Sequence, residues 1–155
     1  MSSSVPAQRL ALVLLLRGLF PDAGVTYGRP VTLRNRMAWL GDARVTENVQ
    51  PGTSGASRRS RRETVEVEVV LSCYVAGPVD QGDDAQMQAT VAAYAMYDAL
   101  EDHFRTLGVE PLAPGCMASI ISSHDMTISP ATDFEDVVRG WTCDITATVS
   151  TTATV

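Results

Sequence analysis

The chain contains no lysine, and all 12 of its basic residues are arginine. That absence removes the phosphate-binding residue of a G-x-x-x-x-G-K-[ST] loop. No G-x-G-x-x-G is present either, so nucleotide chemistry has no support. Histidine is scarce too. His124 stands among Ser122, Ser123 and Asp125, the residue types of a catalytic triad, but neighbours on an extended segment point to opposite faces and cannot align as nucleophile, base and orienter. The other, His103, falls near the apolar stripe of a helix and reads as a partly buried structural residue. Cys73, Cys116 and Cys143 are odd in number and lack C-x-x-C spacing, which indicates neither a disulfide framework nor a zinc site. They read as reduced, mostly buried small hydrophobes. No cofactor and no enzymatic activity are expected. Long apolar runs are missing as well. Leu10 to Leu16 falls far short of the ~20 residues that span a bilayer, Arg17 follows at once, and no small-residue cleavage pattern appears. The expectation is an intracellular soluble protein without a membrane partner.

What is present is enough to fold. The 155 residues are 45% apolar and 19% charged, which fits one domain over 1–155 with a flexible loop at about 50–62. The formal charge of -6 hides a segregation. Residues 1–62 hold ten Arg against Asp22, Asp42 and Glu47, while residues 63–155 hold two Arg against fifteen acids, so +7 is followed by -13. Such a split either neutralises itself within one molecule or offers opposite faces to neighbouring copies.

Along the chain, Ser4 as cap, Pro6 in the first turn and the leucine run predict a helix over 5–20. Apolar on nearly all sides, it must be sandwiched between the sheet and another helix, or else partly covered by a second subunit; the first reading is favoured. A turn at Pro21–Gly24 precedes a short strand within 25–32, and a longer strand covers about 38–49. Residues 50–60 form a loop by composition, leading into Arg58, Arg59, Arg61 and Arg62. From 63 to 75 the residues alternate, with Val65, Val67, Val69, Leu71 and Cys73 on one face and Thr64, Glu66, Glu68 and Ser72 on the other. If these two strands pair as a long hairpin with a mobile tip, Arg44 lies across from Glu66 or Glu68, an arrangement worth only a few tenths of a kcal/mol. Asp83 or Asp84 caps an amphipathic helix to Leu107. Strands are predicted at 116–122 and 126–128, an acidic loop at 129–138, and a clean alternating strand at 140–150. The order implies an α+β domain in which two helices pack on one face of a mostly antiparallel β-sheet of four to five strands.

Two charged clusters bear on function. Asp133, Glu135 and Asp136 have the donors for a cation, but no tight-turn Gly and no spaced bidentate Glu, so a solvated acidic loop is favoured. Arg58, Arg59, Arg61 and Arg62 suit either nucleic-acid phosphates or an acidic surface on a neighbouring subunit, unless the loop is simply solvated. No aromatic residues are interleaved with them and the net charge is negative, so protein contact is favoured over nucleic acid. Arg44, Glu66, Glu68, Asp133, Glu135 and Asp136 complete the candidate interface.

The layout resembles that of tail terminator (tail completion) proteins of long-tailed bacteriophages. The likeness is carried by the N-terminal helix and Gly28-Arg29-Pro30, then by Trp39-Leu40-Gly41-Asp42-Ala43-Arg44-Val45 and the Arg-Arg-Glu-Thr entry into the valine strand. Ala99-Leu100-Glu101 in the second helix and the late acidic segment leading to a Trp-containing strand complete it. The resemblance implies a non-catalytic virion protein of the tail or neck, present in the host cytoplasm during assembly. It would form a hexameric ring that caps the tail tube, ends tube polymerisation and presents a surface for head-tail joining. Implied partners are copies of itself, the tail tube protein and a head-completion or connector protein, with DNA at most passing through the lumen. Another neck protein and, less favoured, a small nucleic-acid-binding module are the alternatives. A ring also needs a heterologous interface, where two different patches of one chain meet and the rotation closes.

Overall fold

Val65, Val67, Val69 and Leu71 place a β-branched or branched side chain on the same face at every second position, and this row forms the spine of the fold. The computed structural model describes residues 3–31, 34–49, 61–77, 82–106, 111–132 and 135–154. Its elements are α1 (Val5–Leu19), β1 (Gly24–Thr26), β2 (Arg36–Val49), β3 (Arg61–Ala76), α2 (Gly82–Thr106), β4 (Ile120–Thr132) and β5 (Val138–Thr154). The five strands make one sheet in the order β1-β2-β3-β5-β4, antiparallel throughout except that β1 runs parallel to β2. This is the α+β arrangement expected. α1 lies against β1 and β2 and α2 lies against β3, β5 and β4, so both helices cover one face.

The core lies between those layers. Val65, Val67, Val69 and Leu71 of β3 and Cys143, Ile145, Ala147 and Val149 of β5 are fully or almost fully buried against Leu12 and Leu16 of α1 and Ala93, Met96 and Leu100 of α2. Directly opposite residues of an antiparallel pair share a face. Hence Leu71↔Ile145 and Val69↔Ala147 point to the helices, while Glu66↔Ser150 and Glu68↔Thr148 point outward. Among the described residues no helix is long and apolar enough to cross a membrane.

Several boundaries differ from expectation for identifiable reasons. The polar run Ser122–Asp125 does not break a strand. β4 is continuous from Ile120 to Thr132 because it is an edge strand, mostly exposed, with a register shift between Ile121 and Ser123, and the Ser122 hydroxyl donates to the Thr148 carbonyl (3.3 Å). Cys116 makes only an isolated bridge to Ala153. The short early strand is Gly24–Thr26 alone. Ser4 sits at the N-cap position but makes no side-chain cap bond, its hydroxyl going instead to Glu63. α1 is not sandwiched either: Leu12, Val13 and Leu16 are buried, whereas Leu10 and Leu14 lie open, 55% and 58% exposed. The hairpin tip expected at 50–60 lies outside the described residues.

Candidate assembly interface

The expected interface residues separate into three places. Arg44 stands directly across β2 and β3 from Glu66, one of the two partners the alternation allowed. With Asp42, Glu68, Ser123 and Thr148 they line an acidic cleft of about 760 Å3 on the uncovered face of the sheet. At its rim a register shift between Leu40 and Ala43 leaves the backbone of Gly41 and Asp42 out of the β2–β3 pairing. The Asp42 amide donates to Glu68 Oε2 (3.3 Å) and the Gly41 carbonyl accepts from Arg9 of α1 (2.9 Å), so the irregularity is tied to both layers. A Cβ at position 41 would sit 2.9 Å from Glu68 Oε2.

The second place is the base of the hairpin. Arg61 forms an ion pair with Glu47 and is half-buried, while Arg62 is exposed, opposite Asn48 and Thr154 in the register. Arg58 and Arg59 lie outside the described residues. The third place is the turn joining β4 to β5, which holds Glu135 and Asp136; Asp133 lies outside the described residues. Asp136 adopts φ 58°, a left-handed conformation that Asp tolerates in turns. β3 separates these last two places. Arg61 begins it and Ala76, paired with Gly140 beside the turn, ends it, a run of roughly 50 Å at the rise of an extended strand. Within one molecule, Arg61 and Arg62 therefore do not meet Glu135 and Asp136.

Charge nevertheless has an order in space. The described residues from α1 to β2 carry six Arg (9, 17, 29, 34, 36, 44) against Asp22, Asp42 and Glu47. Those from α2 to β5 carry Arg105 and Arg139 against nine acids. Because β1 and β2 form one side of the sheet and β5 and β4 the other, the segregation along the sequence becomes a gradient across the sheet. A second cleft on the uncovered face, about 560 Å3, follows this rule in part: Arg29, Arg34, Trp39 and Tyr74 line it, with Asp144 from β5, whose Oδ1 is buried without a hydrogen-bond partner.

Glu63 is the polar residue that escaped sequence reasoning. It is fully buried and accepts hydrogen bonds from the Ser4 amide (2.7 Å), the Ser4 hydroxyl and the Ser3 hydroxyl (3.0 Å), so a carboxylate from β3 anchors the start of α1. Burial pushes its carboxyl up, but the bonds from Ser4 and Ser3 and the charge of Arg61 outweigh this and hold it below the ordinary carboxylate value. Parity was the available signal: Glu63 shares a face with Val65. His124 turns inward and packs on Tyr97, ring centroids 4.4 Å apart, while Ser123 and Asp125 lie opposite outward-facing Thr148 and Thr146. These triad residue types do not converge.

No protein-family model matches the chain, and no curated protein matches its sequence.

Proposed function

We propose that this chain is a structural, non-catalytic subunit that joins copies of itself head to tail into a closed ring, the ring serving as a tail terminator. In that role it caps the tail tube, ends its polymerisation and offers a surface to the head-side connector, with DNA passing through the lumen. The observation that carries the reading is the charge gradient across the sheet. A heterologous contact needs two different patches of one chain, and a basic β1–β2 side facing an acidic β5–β4 side supplies them. The identity of the ring as a terminator rests on the sequence resemblance.

Light scattering after gel filtration and negative-stain imaging test it. Rings, hexameric by expectation, should appear at raised concentration, and added tail tube protein should yield short capped tubes. A strict monomer, both alone and with tail tube protein, sinks the proposal.

A further inference from the structure

The solvent side of each helix carries a stripe that no other described residue covers. On α1 the exposed positions Ala7, Leu10, Leu14 and Arg17 follow one another at steps of three, four and three. On α2 the exposed positions Asp84, Met87, Val91 and Ala95 follow at steps of three, four and four. Such spacing keeps each set on one face of its helix and is that of the seam in paired helices. The apolar members are unusually open: Met87 is 60% and Val91 66% exposed, comparable to Leu10 and Leu14.

The two stripes are complementary when run antiparallel. Arg17 then meets Asp84, Leu14 meets Met87, Leu10 meets Val91, and Ala7 meets Ala95, whose small side chains let the helices approach. We propose that α1 of one copy docks antiparallel on α2 of another through this seam. The occupant is a second copy because the order of charge and apolar residues on one stripe is matched, position for position, by the other stripe of the same chain. Antiparallel docking gives Asp84 its cation and sets exposed Asp98, which continues the α2 stripe, by the start of α1, where a helix favours negative charge; parallel docking gives Arg17 only Asp98 and leaves Asp84 unpaired. α1 lies over β1 and β2, the basic side, and α2 over β3, β5 and β4. The pairing deepens the ring reading and rests on it for the head-to-tail sense.

Cross-linking between engineered cysteines tests the pairing. Cys73 and Cys143 are buried, so Cys116→Ser provides the background, and a short bismaleimide reagent acts on a chain that has no lysine to compete. Co-expressed Leu10→Cys and Val91→Cys chains, which keep the Arg17–Asp84 pair, should give covalent dimers, and either variant alone should give at least tenfold less. Leu14→Glu, at an exposed site, should leave the melting temperature unchanged and abolish both the cross-link and assembly, whereas Leu14→Met should keep both. Rings that form normally without this cross-link, and that survive Leu14→Glu, overturn the helix pairing and leave the ring standing. Cross-linked dimers without rings support the pairing and overturn the ring. A wild-type chain that never associates overturns both.

Discussion

Glu63 shows how one residue sets a condition on the fold. Its carboxylate is buried because three donors from Ser3 and Ser4 converge on it, and the start of α1 is itself favourable to negative charge. Replacing it with Ala strands those donors and should cost about 2 kcal/mol in denaturant unfolding. The pH dependence has a definite sign. With its folded value held below the ordinary 4.5, Glu63 contributes stability that is complete above that value and is lost as pH falls through the lower folded one. Melting temperatures followed from pH 7 to pH 3 should therefore fall more steeply for the wild type than for Glu63→Gln. At the thiols burial outweighs the opposing influence of Arg36 on Cys73 and of Thr90 on Cys143, pushing Cys73 up to about 11 and raising Cys143, so both stay protonated in the core. Gly140 is fixed by proximity: a Cβ there would lie 2.5 Å from the Val75 carbonyl oxygen and from the Tyr74 ring. Gly140→Ala should cost about 1–3 kcal/mol, read as a lower denaturation midpoint with an unchanged slope.

At the scale of elements, β3, β5 and α2 were legible because burial on one face writes itself as a period, of two in the strands and near 3.6 in the helix. β4 was not, since an edge strand with little burial has no reason to alternate; Ser122–Asp125 looks like a gap and is paired strand. What holds that edge to the helix layer is His124 under Tyr97 and Tyr94. His124→Ala should cost about 1 kcal/mol, and a double-mutant cycle with Tyr97→Leu should recover most of it as coupling. The same period let Arg44 meet Glu66 or Glu68, but the choice of Glu66, like that of Glu47 as the partner of Arg61, depends on the hairpin register and could not be read in advance. The exposure of Leu10 and Leu14 was equally hidden. A leucine run states that a helix must be covered, not by what.

For the molecule as a whole, the gradient across the sheet predicts how association responds to solvent. Charges on separate sides of one copy act between copies over a screening length that shrinks from roughly 14 Å to about 4 Å between 0.05 and 0.5 M salt. Assembly measured by sedimentation should weaken at least tenfold over that range, and an assembly indifferent to salt argues against charge as its organiser. The strand order has a consequence in time as well. β5, the last of the five strands in chain order, is flanked by β3 and β4, with partners as remote in sequence as Arg62↔Thr154. Until it inserts, β3 lacks one neighbour and β4 has none, so the sheet is two unfinished halves that only β5 joins. Folding should be slow for a chain of this length, and a chain cut short after Val137 would be left with a divided sheet, not a shortened one.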